Sequence, residues 1–500
     1  MSKASVALNR FGYGLKLGER APSNPQADLL RQLREFDARP GPLSARPDTS
    51  GEAGELLQII RRARRQRNEA ASAMESNMAM QTGQGATQAT KANGAATEKP
   101  QPSARAQLLA QLPPDYRAKV QEAYGRYRVD VAARFKVAVA SPNPFAERLV
   151  HFWSNHFSVS AGKPGTPFEV GNHEFNAIRP HVTGKFTDML KAAVLHPAML
   201  LYLDQFQSIG PNSQFGARRR KRNPNQPERG LNENLAREVL ELHTLGVDGG
   251  YSQSDVTEFA RALTGWTIRG LSRLERFAKD QPGGAAFVDI AHERGSRTIL
   301  GRQYADTGAD QAIAILDDLA AHPSTARFVA TKLARHFTKD EPEPSLIARL
   351  ERDFRRTGGD LESLATTLVN APESWTGEPA KFRQPVEWFT SILRFTGVDT
   401  LSEKRINGLV RQLGQVPWGA PSPAGFDDVA ESWAGSDALL RRVELADRIA
   451  RNAPSDAVLA RAEAAFPGAL SDNTRTWLSR AESGRQALGL MLVAPEMMRR

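Results

Sequence analysis

The chain has 500 residues, of which 40% are hydrophobic and 24% are charged, and it contains no cysteine. These proportions are typical of a globular protein with a large core. The missing cysteines exclude disulfide bonds, thiol nucleophiles and cysteine-ligated zinc sites. No run of about 18 apolar residues occurs, so the sequence predicts no membrane-spanning helix.

Two short basic runs account for the whole net charge of +10. One lies at residues 61–67 and the other at Arg218–Arg222, and each carries five basic residues and no acidic one. Clustered cations bind nucleic acid or other anionic polymers, so Arg218–Arg222 is a candidate surface for an anionic polymer. The Asn, Pro and Gly residues beside this second run favour a solvated loop instead.

The N-terminal part of the chain is divided by a change in composition. Residues 1–36 are predicted to pack on the body of the protein, and they contain no apolar signal segment, which favours a cytoplasmic location. Residues 37–103 are rich in Pro, Gly, Ala, Gln and Ser and have too few large apolar side chains to bury a core. We predict a long, low-complexity, disordered insertion there, with one short helix within residues 54–67.

Helical patterns dominate from residue 104 onward, and they predict a mainly α fold with a multi-helical globular body. Residues 104–270 form a helical core, in which Asn143 and Pro144 suit the N-cap and the first position of a helix. Residues 271–305 form an irregular connection with at most a short β-hairpin, built from AAFVDI and RTILG. Residues 306–500 form a C-terminal helical region.

Polar side chains lie on the apolar side of the helix predicted over residues 232–245. At about 100° per residue, Glu238 falls inside the stripe of leucine and valine residues, and Asn234 and Glu241 fall along its edge. A buried carboxylate is costly unless it has a partner, so the pattern raises the question of what Glu238 binds.

A second helix, predicted over residues 144–157, offers that partner. Its apolar stripe ends at His156, and Asn155 lies just beside the stripe. We therefore predict that His156 and Glu238 pair, because a carboxylate orients an imidazole and tunes its protonation. Asp204, on the apolar helix MLLYLD, adds a further carboxylate.

This group of polar residues on the predicted helices has a structural and a functional interpretation. A histidine at the end of a buried stripe is more often a core residue than a catalyst, whereas the clustering of several polar groups favours a functional site. Carboxylates and imidazoles are also able to hold a divalent cation, although HEFNA and HERGS both depart from the HExxH zinc motif. The sequence indicates no other cofactor.

Two absent motifs and one aromatic segment limit the kinds of site that the sequence predicts. The sequence contains neither the GxSxG nucleophile motif nor the GxxxxGK[ST] phosphate loop. A Pro- and Gly-rich segment at residues 413–428 carries Trp418 and Phe426. It either displays an aromatic ring to a sugar or a partner, or is pinned to the core by its tryptophan, and the second interpretation is favoured.

Four segments together resemble the bacterial domain of unknown function 1800 family: FAERLVHFWSNHF, HPAMLLYLD, NENLAREVLELHTLGVDGGYSQSDVTEFARALTGW and PWGAPSPAGF. The resemblance covers nearly the whole chain except residues 37–103. The family pattern corresponds here to Asn155 and His156, Asp204, residues 232–234, Arg237 and Glu238, and Glu241. The resemblance implies no established activity. It does imply a periplasmic or envelope location as an alternative, with an exported sulfatase-like protein as a partner.

Together, these patterns predict an enzyme, a hydrolase or lyase that acts on a polysaccharide or another envelope polymer. In this hypothesis His156 is the general acid or base and Glu238 orients it. The alternative is a non-catalytic helical scaffold or binding protein whose buried polar network fixes the helices. The predicted catalytic residues are Asn155, His156, Glu238 and Glu241, and the predicted substrate-binding residues are Trp153, Asp204, Asn234 and Arg237.

Overall fold

The computed structural model of the chain describes residues 1–47, 52–63, 65, 69, 114–222, 231–270, 275–376, 378–399 and 401–500. The described chain is mainly α-helical, as predicted. Its α-helices are Lys3–Val6, Pro25–Arg34, Gly41–Ser44, 52–63, Pro114–Ala140, Pro144–His156, Thr166–Asn172, Phe186–Val194, Pro197–Tyr202, Gln214–Arg222, Asn234–Glu238, Gln253–Ala262, Ala309–Ala321, Pro323–Phe337, Pro344–Thr357, Leu361–Asn370, Pro385–Thr396, Glu403–Leu413, Ser436–Ala450, Val458–Ala465, Asp472–Ser479, Gly484–Leu492 and Pro495–Met498.

Shorter helical turns of other types link these helices. The π-helical turns are Ala7–Phe11, His173–Ile178 and Val239–Thr244, and the 3₁₀ turns are Arg179–His181, Gln205–Gln207, Glu275–Phe277, Pro282–Gly284, Asp289–Ala291, Pro372–Ser374 and Ala430–Ser432. A π turn places one extra residue in the turn and changes which side chains face inward after it, and such turns are frequent at functional sites.

The strands are short and antiparallel, but they do not pair as the sequence predicted. A three-stranded sheet has the order β1 (Trp266–Ile268), β3 (Ala285–Val288), β2 (Ala278–Asp280). The predicted strand RTI is instead β4 (Arg297–Ile299), which turns back onto β5 (Arg302–Tyr304). The two predicted strands therefore belong to separate sheets. Each predicted strand pairs with a strand that lies within about twenty residues of it in the sequence. That partner strand shows little alternation of apolar and polar residues.

Three phenylalanines anchor the helices that carry the candidate site. The ring centroids of Phe11 and Phe145 are 5.4 Å apart, and both rings contact Phe337 at 5.8 and 5.5 Å. All three side chains are fully buried. The N-terminal segment, helix Pro144–His156 and helix Pro323–Phe337 thus share one part of the core, although they are far apart in sequence.

The described part of the predicted insertion is helical and packs on the body. Residues 52–63 form the predicted short helix, and Ala53, Leu56 and Ile60 are buried in the main core. A Cβ atom on Gly54 would overlap the backbone oxygen of Arg269, so the helix approaches the body closely at this glycine. The prediction of disorder was made for residues 37–103, of which residues 48–51, 64, 66–68 and 70–103 lie outside the described residues.

The second basic run is helical, which corrects the prediction of a loop. It forms the C-terminal half of helix Gln214–Arg222, in which no residue is buried. The run is exposed to solvent, as the sequence predicted. Within the ranges that the structure describes, no helix is both long enough and apolar enough to cross a membrane.

Candidate functional site

A recessed cavity of about 240 Å³ lies between four helices and one loop. The helices are Pro114–Ala140, Pro144–His156, Pro323–Phe337 and Pro385–Thr396, and the loop is the Pro- and Gly-rich segment after Leu413. The cavity combines three histidines, three cationic side chains and three carboxylates: His151, His156, His336, Arg134, Lys332, Arg335, Glu387, Asp427 and Asp428. Asn155 and His156 are the predicted site residues that border it.

Asn155 holds the loop against helix Pro144–His156. Its side-chain oxygen accepts from the backbone nitrogen of Phe426 at 2.8 Å, and its Nδ2 donates to the backbone oxygen of the same residue at 2.9 Å. The neighbouring Gly425 has φ +86°, and a Cβ atom there would overlap Asn155. The amide of Asn155 is therefore engaged in positioning the loop.

Trp418 pins the other end of the loop to the core, as favoured from the sequence. Its indole nitrogen donates to Glu174 at 3.0 Å, and its side chain is buried. Tyr127 donates to the backbone oxygen of the preceding Pro417 at 2.7 Å. The loop forms a fixed wall of the cavity because both of its ends bond to helices.

His156 does not form the predicted pair with Glu238. Its Nε2 lies 3.1 Å from the backbone oxygen of His243, and its Nδ1 is buried and has no hydrogen-bond partner in the described chain. Burial, with a smaller effect of Lys332, holds the pKa of His156 well below its ordinary value. His156 is thus a neutral imidazole that donates to a carbonyl, which differs from an imidazole oriented by a carboxylate.

The π turn Val239–Thr244 explains part of the error. A regular step of about 100° per residue places Leu242 in the apolar stripe, but the structure buries His243 fully and leaves Leu242 partly exposed. The extra residue in the π turn rotates the end of the helix relative to a regular α-helix. Glu238, which precedes the turn, is also only partly buried.

Glu238 and Glu241 belong to a separate group near the surface, the outer cluster, which consists of Tyr202, Asp204, Glu238, Glu241 and Tyr251. None of its members lines the cavity. Burial raises the pKa of Glu238, and the nearby carboxylate of Glu241 raises it further. Tyr251 donates to Glu241 at 3.2 Å, and Asp204 bonds Lys163 at 2.7 Å. These charged groups have neighbours of their own and do not meet His156.

The other predicted substrate-binding residues also lie outside the cavity. Asn234 is exposed, and Arg237 bonds Glu233 at 3.1 Å and Gln253 at 2.8 Å on the surface. Trp153 is fully buried in the core. Their predicted roles in binding substrate stay predictions, and no contact with the cavity supports them.

His151 has the most accessible imidazole nitrogen of the cavity. Its Nδ1 forms a short hydrogen bond with the hydroxyl of Tyr13, and its Nε2 bonds no residue of the described chain. Burial and the nearby Arg134 hold the pKa of His151 well below its ordinary value, so the ring is neutral at pH 7. His151 is not among the site residues predicted from the sequence, although it lies four residues before Asn155 on the same helix.

His336 is fixed by hydrogen bonds at both ring nitrogens. Nδ1 lies 2.8 Å from Oδ2 of Asp428, and Nε2 lies 3.1 Å from the guanidinium of Arg148. Burial opposes ionisation of Asp428, but His336 and Lys381 outweigh it and hold the pKa of that carboxyl well below its usual range. This histidine therefore joins the loop to helix Pro323–Phe337 and has no free nitrogen for a ligand.

Glu387 is the centre of a buried ionic network behind the cavity. Arg148 donates to it at 2.8 Å, and Arg500 donates to both of its oxygens at 3.1 and 3.0 Å. Burial alone would raise the pKa of Glu387, but the two arginines outweigh burial and lower it to about 2. Two cations facing one carboxylate leave an excess of positive charge at this wall.

Lys332 is the amine of the cavity. It lies four residues before His336 on the same helix, and the described chain gives its Nζ atom no hydrogen bond and no ion pair. The nitrogen lies 5.3 Å from the ring centroid of Phe328. Burial lowers the pKa of Lys332 to about 8, and Asp428 only partly opposes this shift. The four-residue spacing of Lys332 and His336 is the one sequence signal that would have placed both on a common helical face.

The described residues contain no group of three or more His, Asp or Glu side chains arranged to hold a metal ion. Fold and cavity together define a mainly α-helical protein with a recessed polar cavity between helices from distant parts of the chain. Residues 6–499 match the family described as Protein of unknown function (DUF1800), and the chain belongs to that family. The match confirms the resemblance identified from the sequence. No curated protein and no solved structure matches the chain.

Proposed function

We propose that the chain is an enzyme that moves a proton to or from a molecule bound in the cavity, with His151 as the general acid–base group. The observation that carries this proposal concerns His151, which lines the cavity: Tyr13 holds its Nδ1, and its Nε2 bonds no residue of the described chain. A catalytic histidine works with one ring nitrogen oriented by the protein and the other available to substrate.

Tyr13 supports both neutral tautomers of His151. Burial raises the pKa of Tyr13 far above its ordinary value, so the phenol keeps its proton. When the hydroxyl donates to Nδ1, Nε2 carries a proton and acts as a donor. When Nδ1–H donates to the phenol oxygen, Nε2 is a base. His151 is thereby able to take a proton from one group and return it to another.

Hydrolytic or eliminative cleavage is our proposal for the reaction class. In hydrolysis, Nε2 takes a proton from water as the water oxygen attacks, and the proton is returned to the leaving group. A cavity of about 240 Å³ accepts an end group or a side branch of a polymer rather than its continuous chain. We assign to His151 the role predicted for His156, because Nδ1 of His156 is buried.

The test compares wild type, His151→Asn and the control His181→Asn, which changes a histidine outside the cavity. Each protein is incubated with pools of small molecules and of envelope-polymer fragments, and consumption is followed by mass spectrometry. We expect wild type and control to convert one component and His151→Asn to convert it about 10²- to 10⁴-fold more slowly. Undiminished turnover by His151→Asn overturns the assignment. Binding without turnover by wild type favours the non-catalytic binding protein instead.

The family resemblance is the sole support for two further proposals. We propose an envelope location and an exported sulfatase-like partner. Fractionation of cells, followed by co-purification of the tagged chain from the envelope fraction, tests both. Recovery of the chain in the cytoplasm alone contradicts them.

A further inference from the structure

We propose that the cavity recognises an oxyanion, so that the substrate carries a carboxylate or a phosphate group; this inference rests on the proposed function in taking the cavity as the substrate site. The supporting observation is an imbalance in hydrogen bonding. The terminal nitrogens of Lys332 and Arg134 donate to no residue of the described chain, whereas two of the three carboxylates and five loop carbonyls of the cavity lining are already engaged.

Two cationic donors are available to such a group. Lys332 lines the cavity and bonds no other residue of the described chain. Arg134 uses only its Nε atom, which donates to the two oxygens of Glu174 at 2.9 and 2.8 Å. Its two terminal nitrogens donate to no described group. Glu174 thus orients the guanidinium of Arg134, and the planar pair of terminal nitrogens suits two oxygens of an anion.

A second contact, with the ring of Trp418, also holds the guanidinium of Arg134 in place. The centre of its guanidinium lies 5.6 Å from the ring centroid of Trp418, and only 9% of its side chain is exposed. Glu174 and Trp418 thus fix the guanidinium, while its two terminal nitrogens stay available to an acceptor in the cavity. An anion with two oxygens suits this pair of nitrogens best.

Two of the three carboxylates of the cavity already accept hydrogen bonds from other residues. Glu387 accepts from Arg148, from Arg500 and from the backbone of Gln384. Asp428 bonds His336 at 2.8 Å and accepts from Gln384 at 3.0 Å. The remaining carboxylate, Asp427, is exposed at the rim.

Five carbonyl oxygens of the loop are engaged as well. Pro417 accepts from Tyr127, Trp418 from the backbone of Ala161, Phe426 from Asn155, Asp427 from Trp433, and Asp428 from Lys381. A neutral sugar hydroxyl needs acceptors for its own protons. A ligand that only accepts hydrogen bonds needs none. The cavity therefore favours an oxyanion over an uncharged polyol.

The test titrates the full chain with inorganic phosphate, with malonate and with uncharged glycerol, followed by calorimetry. Lys332→Met should weaken binding of the anions about 10- to 100-fold, since it removes a charged hydrogen bond. Lys339→Met is the control, because Lys339 is a partly exposed lysine outside the cavity that pairs with Glu343. Glycerol should not bind. Binding must persist when Arg218–Arg222 is neutralised, since otherwise the surface run is the anion site.

A second variant tests the guanidinium without leaving a buried charge. Arg134→Gln with Glu174→Gln removes both partners together, and the introduced amide oxygen keeps an acceptor for Trp418. We expect a similar loss of anion binding, and we expect bound anion to raise the pKa of His151 in wild type, read by NMR. Absence of saturable anion binding, or equal affinity in wild type, Lys332→Met and the double variant, overturns the inference. Anion binding with full turnover by His151→Asn overturns only the proposed catalytic role.

Discussion

Nε2 of His156 lies 3.1 Å from the backbone oxygen of His243, and this contact joins helix Pro144–His156 to the helical segment that follows Asn234. The two helices that we expected to meet through a histidine and a carboxylate are therefore in contact. The contact is made by a neutral imidazole and a carbonyl, which need no counter-charge. Glu238 therefore does not orient His156.

The first prediction concerns Glu238→Gln. Because Glu238 is only partly buried and the carboxylate of Glu241 repels it, the free energy of unfolding should change by less than about 1 kcal/mol. The NMR titration of His156 should not move. Glu147→Gln is the contrast, since Glu147 is buried against Arg179 with bonds of 2.7 and 3.0 Å, and it should cost about 3–5 kcal/mol. Urea denaturation at pH 7 measures both. A shifted His156 titration would restore the original pairing.

The second prediction concerns acid stability. Glu387 has its pKa lowered in the folded chain from an ordinary 4.5 to about 2, so the unfolded chain binds its proton more readily. Its contribution to stability is therefore complete above pH 4.5 and is lost as the pH falls toward 2. Glu387→Gln should destabilise the protein by about 3–5 kcal/mol at pH 7, because Arg148 and Arg500 lose their counter-charge. Its stability should also fall less steeply between pH 4.5 and 2. An acid limb as steep as that of wild type contradicts the prediction.

The third prediction concerns the helix at residues 52–63. Gly54→Ala should weaken its contact with the body by about 1–3 kcal/mol, because the new methyl group overlaps the backbone of Arg269. Hydrogen exchange should show protected amides at residues 52–63 in wild type and faster exchange in the variant. Gly408→Ala is the matched control in helix Glu403–Leu413, where a Cβ atom meets open space. It should stabilise by about 0.5–1 kcal/mol. Equal effects of the two changes would show that the helix is not docked.

The fourth prediction concerns the basic run. Neutralising Arg218–Arg222 should change the free energy of unfolding by about 0.5 kcal/mol or less per substitution, because no residue of helix Gln214–Arg222 is buried. Any binding of polyphosphate, an anionic polymer, should weaken and lose much of its salt dependence. Thermal denaturation and a salt series of binding measurements check the two parts. A large loss of stability would place the run in a structural network.

The sequence by itself determined the class of fold and several local features. Pro144 and the apolar spacing after it specified helix Pro144–His156, because both act within a few residues of the chain. Asn155 and His156 were recognised as polar groups at the buried end of that helix, and both border the cavity. The preference for a loop pinned by Trp418 was also correct, since a large indole with a donor is more stable buried and bonded than exposed.

Only the tertiary structure decided which polar groups form the site. Lys332 and Glu387 reach the cavity from helices that are separated in sequence from His151 by about 180 and 240 residues, and no local pattern encodes that proximity. Glu238 was misplaced for a different reason. The apolar stripe used to place it extends into Val239–Thr244, and a regular step of about 100° per residue does not describe this π turn. Helical periodicity reports which face of one element is apolar. The partner of a buried charge is decided by packing between elements, where burying unpaired ions is too costly and each charge must find its counterpart across the fold.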